Sequence, residues 1–173
     1  MTARPTLHTL AAVTRPPGVS AVFFDFGGTL FSYRNVGGGT GRLIFDAVAR
    51  LGVATEPGRI GTAYRDATRD AYVALQDRPY YLHRDLFADT WRRFALGLGA
   101  TPDEAWVSGL IDAQRQLVTE SFALRDDATA TLRALREAGL HVGVVSNIDD
   151  DYLDPMIERA GLSDLLHDWT SSE

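Results

Sequence analysis

Asp25 follows the apolar run Val22-Phe23-Phe24 and precedes Phe26-Gly27-Gly28-Thr29-Leu30. A carboxylate in that setting can attack an electrophile, and glycine amides beside it can approach an anion without side-chain obstruction. The same residue types also make an ordinary strand-to-turn junction with an Asp cap. A second segment, His141-Val142-Gly143-Val144-Val145-Ser146-Asn147, ends an apolar run in a hydroxyl and an amide. A carboxylate facing a hydroxyl donor suits phosphoryl transfer. Asp25 would attack phosphorus while Ser146, with Asn147 beside it, and backbone N–H groups hold the equatorial oxygens. Ser-Asn alone is a common strand-ending turn, so it is the pair that carries weight.

For these groups to meet, both runs must be neighbouring parallel strands, here expected to be buried on both faces. Asp25 and Ser146 would then share the carboxyl edge of the sheet, where ligand crevices of open α/β sheets lie. An amphipathic helix from Asp127 to Ala138, with Leu132 and Leu135 on one face and Gly139 as its stop, leads into the second strand. Another helix carries Leu153, Met156 and Ile157, with Asp149, Asp150 and Asp151 read as solvated helix-start residues. A further strand begins near Asp168-Trp169-Thr170.

From Phe31 to Arg125 the periodicity is helical. Gly37-Gly38-Gly39-Thr40-Gly41 reads as a connector or hinge before a helix over Arg42 to Leu51. Thr55-Glu56-Pro57 starts a second helix that stops near Pro79. A third places Phe87, Trp91, Phe94 and Leu98 together, and Thr101-Pro102-Asp103-Glu104 opens a fourth as a capping box. Four helices with short links form a bundle-like insertion whose aromatic stripes are core. Tyr33, Arg34 and Arg42, and Tyr80-Tyr81-Leu82-His83, stand where they could meet an anionic substrate.

Asp25-Phe26-Gly27-Gly28-Thr29-Leu30 resembles the first motif of the haloacid dehalogenase-like (HAD) hydrolases, Asp-x-Asp-Gly-Thr-Leu, at every defined position except the second Asp. Ser146 within Val-Val-Ser-Asn resembles the second motif, and the resemblance covers residues 19–173 in order and spacing. It implies an α/β fold, a Rossmann-like parallel sheet core with an inserted four-helix cap. The division is then a flexible leader over 1–18, core over 19–32 and 122–173, and cap over 33–121. It also implies a phosphatase-type hydrolase acting on a small phosphorylated metabolite through an aspartyl-phosphate. Asp25 would be the nucleophile, with Phe26 and Gly28 amides, Ser146 and Asn147 as substrate contacts and Thr29 supporting the loop. The family's Mg²⁺ would be held by Asp25 and the Gly27 carbonyl.

Two departures qualify the match. Gly27 stands where phosphatase members place the Asp that protonates the leaving group and activates water, a service worth ~10²–10⁴-fold in rate. Phosphonatases place a small Ala there but need a cap lysine, and dehalogenases use a bulkier residue. Substitute acids are Asp149, Asp150, Asp151 and His83. The family's third and fourth motifs, a Lys and an acidic pair, would follow the last expected strand, and the sequence stops at Glu173. Two protein ligands make a poor Mg²⁺ site, since Mg²⁺ wants near-octahedral oxygen coordination. The core is therefore expected to be incomplete at its C-terminus, leaving Ala21 to Phe26 as an open apolar edge. Such an edge invites a homo-oligomer or strand-exchanged dimer, or marks a fragment of a longer or split enzyme. A catalytically silent HAD-fold binding or assembly module is the competing reading.

Composition bounds the rest. The 173 residues are 45% hydrophobic and 23% charged, enough for one domain with an insertion. A net charge of −6 argues against nucleic-acid or anionic-membrane surfaces, and no apolar run approaches the ~20 residues that span a bilayer. Cytoplasm is the expected compartment. Cysteine is absent, which removes thiolate nucleophiles and cysteine metal sites. All 17 basic residues are Arg; without lysine there is no Schiff-base chemistry and no P-loop.

Overall fold

The computed structural model describes residues 13–173. Its elements are β1 (Ala21–Phe24), β2 (Phe31–Ser32), one 3-10 turn (Tyr33–Asn35), α1 (Val36–Leu51), α2 (Pro57–Leu75), α3 (His83–Gly97), α4 (Glu104–Ser121), β3 (Ala123–Leu124), α5 (Ala128–Glu137), β4 (His141–Val145), α6 (Asp150–Arg159) and β5 (Asp168–Thr170). Most of the expected leader, residues 1–12, lies outside the described residues. Residues 13–20 contain a turn at Pro17-Gly18, and the Ser20 carbonyl accepts the His141 N–H at 2.9 Å, extending the sheet register.

β1, β4 and β5 form a parallel sheet in the order β1-β4-β5, with Phe24 opposite Val144 and Val145 opposite Thr170. Val142 and Val144 pack on Leu132 of α5 and on Leu153, Met156 and Ile157 of α6, in a core shared with Phe26, Leu30 and Phe31. Burying each such side chain stabilises by about 1.5–3 kcal/mol. Going from β1 to β4 to β5 takes two steps in one direction. Right-handed crossovers in one direction deliver their helices to one face.

The other face is open. It exposes Phe23 (56%) and Val145 (51%), and the Phe23 ring lies across Gly143, 2.8 Å from where a β-carbon would stand. Burial on both faces is thus corrected to burial on one, with β1 at the sheet edge.

The insertion leaves the core through β2 and returns through β3, which pair antiparallel with Phe31 opposite Leu124. Its own core joins Ala47, Val48, Ile60, Ala67, Trp91, Phe94, Leu98 and Leu110. The buried Trp91 indole N–H donates to Gln114 Oε1 at 3.0 Å, so the aromatic stripe is structural.

Two local expectations change. The glycine-rich stretch is not a connector but the first turns of α1. Each helical glycine costs up to about 1 kcal/mol against Ala. Gly39 is nevertheless buried, and a β-carbon there would collide with Leu117 of α4. Close packing of two helices outweighs propensity. The cap of α4 is Asp103, which accepts the Trp106 N–H at 2.7 Å, and not Thr101.

Candidate active site

Asp25 leaves β1 directly and Ser146 leaves β4 directly, and the register sets them side by side. The Ser146 hydroxyl donates to Asp25 Oδ1 at 3.2 Å, and the Thr29 hydroxyl donates to Oδ2 at 3.2 Å. Asp25 is exposed, whereas Ser146 is buried and its own N–H donates to the Thr170 carbonyl at 3.1 Å. The carboxylate therefore faces solvent with both oxygens oriented by hydroxyls.

The loop between them is held at several points. Phe26 is fully buried, and its carbonyl accepts N–H bonds from Leu30 at 3.0 Å and Phe31 at 3.3 Å. Gly28 has φ +77°, a conformation glycine adopts without strain. The Gly28 carbonyl accepts two bonds from the Arg125 guanidinium, Nη2 at 2.9 Å and Nε at 3.3 Å. The Arg125 backbone N–H donates to the Leu30 carbonyl at 2.9 Å. Sequence reasoning missed Arg125. Its only signal is its position at the end of the helical periodicity, where the chain must rejoin the core.

Gly27 sits beside Tyr33. A β-carbon at Gly27 would stand 2.5 Å from the Tyr33 hydroxyl oxygen and 3.5 Å from Cζ. The Tyr33 ring meets Phe31 edge-on at 4.7 Å. Burial, and then the Asp25 carboxylate, push the Tyr33 phenol up, so it keeps its proton at neutral pH. Arg34 and Arg42 are exposed, and among the described residues neither bonds to the Asp25 loop.

Asn147 is exposed in the bend after Ser146. Asp149 departs from the expected solvated helix start: it is 2% exposed and does not cap α6 with its side chain. Instead it accepts the backbone N–H groups of His83 at 2.9 Å and Arg84 at 3.1 Å, at the start of α3, and pairs with His83 Nδ1 at 3.0 Å. Burial opposes ionisation of Asp149, but the His83 ring and these two amides outweigh it and hold the carboxyl below its ordinary range. The Asp150 N–H donates to Glu173 Oε2 at 3.1 Å, and Asp151 Oδ2 lies 3.8 Å from Arg115 Nη1. Asp149 and Asp151 thus tie the insertion to the core.

Family members commonly use Mg²⁺. Of the expected ligands, Asp25 accepts one hydroxyl on each oxygen and keeps lone pairs free on both. Among the described residues no three His, Cys, Asp or Glu side chains come together as a metal-binding group. Asp25 and the Gly27 carbonyl would supply two of the roughly six oxygens Mg²⁺ requires, leaving the others to water and substrate.

A carboxylate and a hydroxyl at the carboxyl edge of a parallel sheet, beside a helical insertion, define an α/β protein with its ligand crevice at the strand ends. Residues 19–173 match the haloacid dehalogenase-like hydrolases. The chain belongs to that family. It is similar to phosphonoacetaldehyde hydrolase of Bordetella avium (strain 197N), with 31% identity over 153 residues, 84% of this chain and 49% of the relative. It also resembles the L-2-haloacid dehalogenase of Xanthobacter autotrophicus with chloropropionic acid covalently bound. That likeness has TM-score 0.59 and 25% identity, and covers 88% of this chain and 56% of the other. A haloacid dehalogenase-like family hydrolase from Xanthomonas campestris shares the fold, with TM-score 0.59 and 13% identity over 88% of this chain and 62% of its own. The chain thus spans about half the length of the curated relative it matches.

Proposed function

We propose that this chain carries the nucleophile of a phosphatase-type hydrolase acting on a small phosphorylated metabolite. Asp25 attacks phosphorus and forms an aspartyl-phosphate, which water then hydrolyses. Ser146, Asn147 and the amides of Phe26 and Gly28 receive the phosphoryl oxygens, and Thr29 holds the attacking carboxylate. The observation that carries this reading is the 3.2 Å bond from the Ser146 hydroxyl to Asp25 across adjacent strand ends. The likeness to phosphonoacetaldehyde hydrolase does not extend to Schiff-base chemistry, because these residues include no lysine amine. Turnover of 4-nitrophenyl phosphate with Mg²⁺ tests the reading. Wild type is expected to turn over and Asp25→Asn to be inactive; equal rates would remove Asp25 as nucleophile.

A second reading, a silent binding or assembly module, is favoured by Gly27 and by the thin metal donor set. Absence of turnover in both proteins would support it. The open β1 edge supplies the proposed partner surface, for strand exchange with a second copy or for pairing with further residues of a longer protein. Light scattering that gives the monomer mass at all concentrations would remove the strand-exchanged dimer.

A further inference from the structure

We propose that the Tyr33 hydroxyl is the proton donor and acceptor of this site, occupying the space that Gly27 leaves beside Asp25. This deepens the aspartyl-phosphate reading and rests on it. The hydroxyl stands 2.5 Å from the first atom that any side chain at position 27 would add. It therefore occupies the room such a side chain would need. The ring is fixed: it meets fully buried Phe31 at 4.7 Å, and Phe31 is in turn bridged to Gly27 and packed at 5.8 Å on Phe122. The turn that presents it is fixed as well, since Ser32 Oγ accepts the Arg34 N–H at 3.3 Å. Tyr33 is 56% exposed, so the phenol stands at the open side of the loop and not in the core. Of the other candidate acids, Asp150 is exposed at the start of α6 with its backbone N–H on Glu173, and the rest are paired away from Asp25. Asp149 and His83 bind each other and the start of α3, and Asp151 faces Arg115.

The chemistry balances with this one group. As the bond from Asp25 Oδ to phosphorus forms and the ester P–O bond breaks, the Tyr33 proton passes to the departing oxygen. An alcohol leaves, and a tyrosinate remains. That tyrosinate takes a proton from the water whose oxygen attacks phosphorus. The bond from phosphorus to Asp25 breaks, phosphate departs, and both side chains return to their starting states. One ester and one water become one alcohol and one phosphate.

Leaving-group dependence separates this role from a structural one. Propyl phosphate needs a proton on its departing oxygen, whereas 4-nitrophenyl phosphate releases a stabilised phenolate. Wild type, Asp25→Asn and Tyr33→Phe are assayed on both esters with Mg²⁺. Tyr33→Phe is expected to lose ~10²-fold or more in kcat on propyl phosphate, within the usual range for general acid catalysis, and less than ~10-fold on the aryl ester. The ratio of the two rates does not depend on how much of a preparation is folded. Equal losses on both esters, no loss on either, or a wild type that cleaves only the aryl ester would overturn the inference while leaving Asp25 as nucleophile. A wild type inactive on both esters would remove the aspartyl-phosphate reading, and this inference with it.

Discussion

Asp149, on the core side, caps a helix of the insertion by accepting the backbone N–H of His83 at 2.9 Å and pairing with its ring at 3.0 Å. The α3 helix begins after Leu82, which has no side chain able to cap it. Its exposed amides would otherwise lack partners. The same residue lies three positions after Ser146, so one carboxylate fixes both the insertion and the loop leaving β4.

Replacing that carboxylate should be costly. Asp149→Ala is expected to destabilise the fold by about 1–3 kcal/mol in urea denaturation at neutral pH, since two helix-start amides lose their acceptor. The folded carboxyl titrates below its ordinary value. Its contribution is therefore present above the unfolded value of about 3.9 and is lost as pH falls through the folded value. The penalty of Asp149→Ala should shrink as pH is lowered below about 4. A penalty constant down to the acid unfolding transition would contradict the assignment.

Gly27 and Tyr33 should show strong energetic coupling. Gly27→Ala is expected to cost about 1–3 kcal/mol, because its methyl group collides with the phenol oxygen. In a Tyr33→Phe background the nearest ring atom is 3.5 Å away, and the same change should be neutral or stabilise by about 0.4–1 kcal/mol. A double-mutant cycle on thermal unfolding measures the difference. Additive effects would mean that the hydroxyl does not stand over Gly27.

Glycines within one helix should respond in opposite directions. Gly37 and Gly38 are exposed with open space around them, so Ala at either is expected to stabilise by up to about 1 kcal/mol. Gly39→Ala meets Leu117 and should destabilise, with partial recovery when Leu117→Ala is added. If all three substitutions stabilise equally, α1 and α4 are not in close contact at Gly39.

Arg125→Lys should separate charge from geometry. The guanidinium makes two bonds to the Gly28 carbonyl, and a lysine ammonium cannot reproduce that fork. Aryl phosphate turnover is expected to fall about tenfold, with a midpoint of unfolding close to wild type because the side chain is exposed. An unchanged rate would remove Arg125 from the support of the loop.

The strand ends were legible in the sequence because an apolar run stopped by one polar residue is a local signal. Asp25 and Ser146 were therefore found without coordinates. The face of the sheet that each helix covers is not local, and the exposure of Phe23 could not be read from an apolar run. The start of α1 was missed because glycine spacing speaks for a connector, while the reason for those glycines is Leu117, far along the chain. The place of Asp149 before α6 fits a solvated start residue, yet its partners are in α3. Arg125 and the overlap of Tyr33 with Gly27 likewise depend on contacts that spacing alone does not encode.

The antiparallel pair Phe31 with Leu124 and Ser32 with Ala123 brings the two ends of the insertion together at the rim of the sheet. A segment whose two chain connections lie side by side can change in length or shape without altering the distance between the strands below it. Variation can thus accumulate in one part of the polypeptide while the Asp25 carboxylate stays where it is. A short loop grafted between Ser32 and Ala123 should preserve the Asp25 and Ser146 pairing while erasing whatever discrimination the four helices provide.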